Sequence, residues 1–227
     1  MVAVIGDVHG CFNTFEQLVR IVRERYPDID FYSTGDLIDR GRFPHLAIEF
    51  AIAENILPVL GNHECMFYYY NFFPDSHLAK LWTEDNEHTE EAYFTSPHLL
   101  EPHLEYISML PFYHNLDDCF ISHAGIAKKF RSRFFSTGHL SEQAVSDHYS
   151  STLDKPDNIL WNREDLLDIG KLQIVGHTRK RNVELDESNN ALYIDTSAFS
   201  GRMLTCAVVE DSKVVDLLSV ETDSRDI

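Results

Sequence analysis

VAVIGDVHG, residues 2–10, sets four apolar residues against a turn that carries an aspartate and a histidine. The run reads as a buried strand, Val2–Ile5, ending in Gly6-Asp7. The pattern recurs twice: Phe31–Ser33 leads into TGDLIDRG (34–41), and Ile56–Leu60 leads into GNHE (61–64). Between the first two strands Phe15, Leu18, Val19 and Val22 fall at helical spacing through Arg25, with Asn13 and Glu16 placed as a capping box. Pro44 followed by HLAIEFAIA (45–53) predicts a helix that starts at a permitted proline. Strand, polar loop and helix in alternation predict an α/β sheet whose working residues sit at the carboxyl ends of the strands.

Residues 66–114 differ in character. Aromatics come first, then the acidic TEDNEHTEEAY (83–93), then a run punctuated by Pro97, Pro102 and Pro111. This reads as a mostly helical, cap-like insertion within a single domain spanning 1–227. Strands are expected to resume at Phe120–Ser122, Leu172–Val175, Ala191–Ile194, Leu204–Val209 and Val214–Val220, with residues 186–190 as a polar turn. The later strands follow one another without long helical patterns, so the second half is expected to be more antiparallel.

The charge balance narrows the partners. With 37 acidic against 19 basic residues, the net charge of −18 repels nucleic-acid phosphates and anionic membranes. No apolar run approaches membrane-spanning length. Four scattered cysteines (Cys11, Cys65, Cys119, Cys206) make neither a disulfide framework nor a thiolate zinc site, and point to a reducing, cytoplasmic setting. An acidic chain acting on phosphate would need strong local positive charge.

Five strand ends carry candidate metal ligands: Asp7 and His9, Asp36, Asn62, His123 in SHAG (122–125) and His177 in GHT (176–178). Two carboxylates, three imidazoles and an amide oxygen suit manganese, iron or zinc better than a thiolate-seeking metal. The adjoining glycines allow tight turns and close backbone approach.

These motifs, in this order and spacing, resemble the phosphoprotein phosphatase family of dinuclear metallophosphoesterases. ILWNRE (159–164), IVGHT (174–178) and YIDTSAF (193–199) are most similar to the bacterial and bacteriophage-lambda-type Ser/Thr protein phosphatases. The resemblance implies a four-layer α/β/β/α sandwich and two divalent ions, manganese first, with iron or zinc compatible. It implies Asp7, His9 and Asp36 on one metal, and Asp36, Asn62, His123 and His177 on the other. Arg40 and Arg163 match phosphate-binding arginines, His63 the general acid, and Asp39 the carboxylate that orients it. The implied reaction is in-line attack of a metal-bridging hydroxide on a phosphomonoester of a phosphoprotein or a phosphorylated small molecule. Two ions less two carboxylates and a hydroxide leave roughly one positive unit, to which two arginines add two, so the local charge is favourable.

Leu60 stands where the protein phosphatases carry an arginine before GNHE, and SHAG replaces their more usual HGG. Both features resemble the symmetrical diadenosine tetraphosphate hydrolases, the alternative substrate class. A third reading, a non-catalytic phosphate-binding module, is disfavoured because no ligand is missing. Tyr68–Tyr70, Phe72 and Phe73 either line a substrate pocket or pack the insertion against the sheet. Cys11 reads as a packing residue, and Glu64 as a partner that orients neighbouring groups.

Overall fold

The computed structural model describes residues 1–82, 86–136 and 138–227; Thr83–Asp85 of the acidic stretch lie outside them. The chain opens with β1 (Val2–Ile5), α1 (Phe12–Arg25), β2 (Asp30–Ser33), α2 (Pro44–Ala53) and β3 (Leu57–Pro58). Four helices follow: α3 (Asn62–Phe72), α4 (His77–Leu81), α5 (Glu87–Thr95) and α6 (Leu100–Ser108). Next come β4 (Tyr113–Asn115), β5 (Phe120–Ser122), α7 (Arg131–Phe134), a small hairpin of β6 (Phe135–Ser136) and β7 (His139–Leu140), and α8 (Glu142–Ser150). The chain ends with β8 (Gln173–Val175), β9 (Glu184–Asp186), β10 (Ala191–Tyr193), β11 (Met203–Glu210) and β12 (Lys213–Glu221).

Two five-stranded mixed sheets form, ordered β12-β11-β1-β2-β3 and β4-β5-β8-β10-β9. Strand alternation explains why they stack. On β1, Val2 and Val4 face the second sheet, while Ala3 and Ile5 face α1 and α2. On the opposing sheet Ile121, Ile174 and Leu192 meet Val2, Val4, Ala207 and Val209. The outer face of that sheet carries Phe120, packed among Phe134, Val145 and Tyr149 of α7 and α8. Helices, sheet, sheet and helices are therefore the predicted four layers. Each fully buried Val, Ile or Leu between the sheets contributes about 1.5–3 kcal/mol.

Strand direction departs from expectation. β1, β2 and β3 run parallel, but so do β5, β8 and β10. Antiparallel pairing is confined to β9, β11, β12 and β4 at the flanks, beside the small β6–β7 hairpin. Each sheet thus presents the carboxyl ends of three parallel strands. The third predicted strand is also shorter than Ile56–Leu60. The Ile56 N–H donates to Ala51 and that of Leu60 to Pro111 O, while Pro58 has no N–H, which confines it to a sheet edge.

The segment expected as an insertion is helical, but α3 begins at Asn62, so the GNHE turn and the start of that segment form one continuous helix. The Asn13–Glu16 capping box does not form, because α1 starts at Phe12 and Asn13 already lies inside it. Asp226 supplies the cap from the far end of the chain. Its carboxylate accepts the Asn13 N–H at 3.0 Å, the Thr14 N–H at 2.9 Å, and the Asn13 amide and Thr14 hydroxyl at 2.7 and 2.6 Å. Removing this cap, by Asp226→Ala, should cost about 1–3 kcal/mol. Thermal melts should show a fall of roughly 2–4 °C per kcal/mol; an unchanged midpoint would contradict the assignment.

Candidate metal centre

The two sheets meet at their carboxyl ends. The His177 N–H, after β8, donates to Asp7 Oδ2 after β1 at 2.8 Å. His123 Nδ1, after β5, reaches Thr34 O after β2 at 2.8 Å. These bonds stitch one sheet to the other through the predicted ligands themselves. All six (Asp7, His9, Asp36, Asn62, His123, His177) are buried, although no single stretch of chain holds more than two of them.

Their local geometry is strained in a consistent way. His9, Asp36, Asp39, Arg40 and His177 have φ of 47°, 51°, 68°, 70° and 59°. Left-handed backbone is uncommon for residues with a Cβ and clusters at functional sites. The strain therefore sits on the chemical residues as well as on their glycines. Space also demands glycine beside two of the ligand carboxylates. A Cβ on Gly61 would strike the Asp36 carboxylate, and one on Gly176 would strike that of Asp7.

Glu64 explains how the second turn is held. Its carboxylate accepts the N–H groups of Asp36 (2.9 Å), Leu37 (2.7 Å), Ile38 (3.1 Å) and Gly61 (3.1 Å). It closes the N-terminus of its own helix and pins the GDLI turn at once. Burial and the Asp36 charge push its carboxyl up, while these backbone donors pull it down.

The donor set fits a cation. His9 Nδ1 lies 2.9 Å from Ile38 O, and His123 Nδ1 faces Thr34 O; a carbonyl only accepts, so both Nδ1 atoms carry protons. Their Nε2 atoms are therefore lone pairs aimed inward, as in metal-binding histidines. His123 Nε2 lies 2.8 Å from Asn62 Oδ1 and 3.4 Å from Asp36 Oδ2, three acceptors with no proton between them. His177 Nδ1 adds a further nitrogen, 3.0 Å from Asn62 Oδ1. Ligand atoms of Asp7, Asp36 and His123 lie within 4.8 Å of one another, as do those of His9, Asp36 and His63. At His9 Nε2 a positive group is already present, the Arg40 guanidinium at 2.6 Å. Burial raises the Asp36 pKa, but the neighbouring His63, whose own pKa is raised, outweighs it and holds the carboxyl low. For Asp7, burial and the charges of Asp195 and Asp36 push the carboxyl well above its usual range.

His63 stands beside this cluster with Nδ1 2.6 Å from Asp39 Oδ2. Burial lowers its pKa, yet Asp36, the Asp39 hydrogen bond and the Asp39 charge together raise it above the ordinary value. Asp39 is itself held by Trp82 Nε1 at 2.9 Å and by the Thr89 hydroxyl at 2.6 Å. Trp82 and Thr89 belong to the helical segment and carry no motif in the sequence.

The cavity over the cluster has a volume of about 720 Å³. Arg40 and Arg163, the predicted phosphate-binding arginines, both line it. So do Arg179, His77, and Trp161 and Phe199 of the ILWNRE and YIDTSAF stretches, none of which carries an assigned role from sequence. The aromatics on its wall are Trp161 and Phe199 rather than Tyr68–Tyr70, Phe72 or Phe73. Tyr68 and Tyr69 pack against core clusters, and Tyr70, Phe72 and Phe73 are exposed. Cys11 is a packing residue: it is fully buried, and burial pushes its thiol up.

Glu64→Gln should lower stability by about 2–4 kcal/mol, because the amide nitrogen confronts backbone donors that a carboxylate satisfies. Urea unfolding should show a lower midpoint at unchanged m-value; a midpoint equal to wild type would show that the four bonds hold little.

Comparison with known proteins agrees with this geometry. The family model described as calcineurin-like phosphoesterase matches residues 1–189. Serine/threonine-protein phosphatase 2 of Salmonella typhimurium is 27% identical over 229 residues, covering 86% of this chain and 87% of that protein. A symmetrical bis(5'-nucleosyl)-tetraphosphatase of Buchnera aphidicola is 39% identical over 62 residues, 26% of this chain and 22% of that protein. Among solved structures, the cold-active protein-tyrosine phosphatase of a psychrophilic Shewanella superposes with a TM-score of 0.64 at 14% identity, over 98% of this chain and 80% of that one. Among the described residues no helix is long and apolar enough to cross a membrane. With the family model spanning most of the chain and candidate metal-binding groups buried at the ends of its parallel strands, the chain belongs to the calcineurin-like phosphoesterase family, hydrolases of phosphate esters.

Proposed function

We propose that the chain is a two-metal phosphomonoesterase that removes phosphate from serine and threonine residues of proteins. The observation that carries this reading is the His63–Asp39 pair, 2.6 Å apart, beside the buried ligand cluster. Serine and threonine alkoxides leave poorly, so a positioned proton donor is worth about 10²–10⁴ in rate. Similarity over most of its length to a Salmonella Ser/Thr phosphatase supports the same class.

In this reading Asp7, His9 and Asp36 hold one divalent ion, and Asp36, Asn62, His123 and His177 hold the second, with manganese the first choice. Such a pair supplies Lewis acidity toward phosphoryl oxygens and acidifies water. Arg40 and Arg163 bind the remaining phosphoryl oxygens and fix the orientation of the tetrahedral group. His63 uses Nδ1 on Asp39, which leaves Nε2 to give its proton to the leaving oxygen. Asp39 is held in position by three hydrogen bonds, from His63, Trp82 and Thr89.

A second reading, hydrolysis of a dinucleoside polyphosphate, is favoured by Leu60 before GNHE and by the short matches to symmetrical tetraphosphatases. Manganese-loaded protein should cleave a phosphoserine peptide with higher kcat/KM than diadenosine tetraphosphate. The reverse order would replace the protein-phosphatase reading, and protein that neither binds metal nor turns over p-nitrophenyl phosphate would end both.

His63→Asn should lower kcat on a phosphoserine peptide by about 100-fold or more, and on p-nitrophenyl phosphate far less, since nitrophenolate leaves without a proton. Equal losses on both substrates would remove His63 from the acid role. Thr89→Val should follow the same substrate pattern at smaller amplitude, because it frees one oxygen of Asp39 without touching the substrate. A loss spread evenly over both substrates would instead mark Thr89 as purely structural.

A further inference from the structure

The cavity is far larger than one phosphoryl group needs, within the range that encloses whole small ligands. Its charge is unevenly compensated. Of the three acids on its wall, Asp36 belongs to the ligand cluster, Glu164 is paired with Lys129 at 2.9 Å and Asp154 with Lys155 at 3.4 Å. Arg179 donates no hydrogen bond and forms no ion pair among the described residues, although it is exposed at the same cavity. The next residue, Lys180, is engaged instead by Glu184 at 2.8 Å. The Arg179 guanidinium is not adrift. It lies over the Phe199 ring, 5.5 Å from the centroid, and the Arg40 guanidinium lies over the same ring at 4.4 Å. The two guanidinium carbons are therefore within about 10 Å of each other, with Arg40 bonded to His9 of the ligand cluster and Arg179 lining the same cavity. Phe199 in turn packs edge-on against His9, with centroids 5.1 Å apart, so the platform is fixed to the centre. The buried Asp195 carboxylate is within electrostatic reach of Arg179 but makes no ion pair with it; its Oδ1 accepts the Ser197 N–H at 2.9 Å.

We propose that Arg179, seated on Phe199, is a second anion subsite that receives a phosphate neighbouring the one held at the ligand cluster, so that substrates carrying two close phosphates are preferred. This rests on the reading of the cluster as a phosphate-ester site. A planar guanidinium with unspent donors suits a phosphate better than a carboxamide or hydroxyl would. On a chain of net charge −18, a cation beside the cavity with no ion pair among the described residues is a feature that can draw a polyanion in. Two sources share this chemistry: a phosphoanhydride chain, and a peptide phosphorylated at two nearby residues.

The test compares wild type with Arg179→Gln, both as full chain loaded with manganese and matched in thermal midpoint. The first readout is binding, by competition of imidodiphosphate and of inorganic phosphate. Wild type should bind imidodiphosphate at least tenfold more tightly than phosphate, and Arg179→Gln should reduce that ratio at least fivefold, with Arg179→Lys recovering part of it. A ratio that is the same in wild type and Arg179→Gln overturns the subsite. The second readout is the kcat/KM ratio of a doubly to a singly phosphorylated peptide, and of diadenosine tetraphosphate to p-nitrophenyl phosphate. A fall in the first ratio on Arg179→Gln identifies the peptide source, a fall in the second the phosphoanhydride, and a fall in neither overturns the preference. Wild type that turns over none of these substrates refutes the reading of the cluster, while the binding ratio still decides the subsite.

Discussion

Glu64 is the constraint on which the site depends. One buried carboxylate accepts four backbone N–H groups, three from the GDLI turn after β2 and one from the turn that starts α3. Without it, those donors would be buried and unpaired, at a cost of about 1–3 kcal/mol each. With it, the turn that carries Asp36 and the helix that carries Asn62 and His63 become one rigid unit. The His63 N–H completes the union by donating to Asp36 Oδ1 at 3.1 Å. Left-handed backbone at Asp36, Asp39 and Arg40 is tolerable because this network over-determines it.

A second clamp comes from the helical segment. Trp82 and Thr89 both reach Asp39, and His88 Nδ1 reaches the carbonyl of Arg40 at 2.8 Å. The segment therefore fixes the far side of the DRG turn and, through Asp39, the ring of His63. Its buried aromatics serve the same end: Phe67 stacks on Tyr93 at 5.1 Å and tilts against Trp82 at 5.0 Å, which holds the indole where its N–H meets the carboxylate. A segment that reads from sequence as a cap over the site is also the support behind it.

Electrostatics reconciles an acidic protein with phosphate chemistry. Most carboxylates lie on the surface, whereas the arginines of the cavity, Arg40, Arg163 and Arg179, converge on one opening. Screening weakens the distant surface charge over about 8–10 Å at physiological salt, while charges lining a partly enclosed cavity keep most of their effect.

By itself, the sequence determined the α/β character, the polar turns at the strand ends and the six ligand candidates, and its family resemblance implied the His63–Asp39 pairing. The strands are legible because a buried strand is a short apolar run, and the ligand candidates because the turns that carry them keep a glycine within two residues. Only the tertiary structure decided the rest. Glu64 touches residues 26–28 positions away, Thr89 reaches across 50, and Asp226 caps a helix more than 200 residues earlier. Arg179 and Phe199 share a wall with Arg40 only because two sheets stack face to face. Such contacts leave no periodic trace along the chain, since each depends on one side chain meeting a distant backbone. The parallel order of β5, β8 and β10 escaped sequence reading for the same reason: strand direction is set by where the connections cross, not by the composition of the strands.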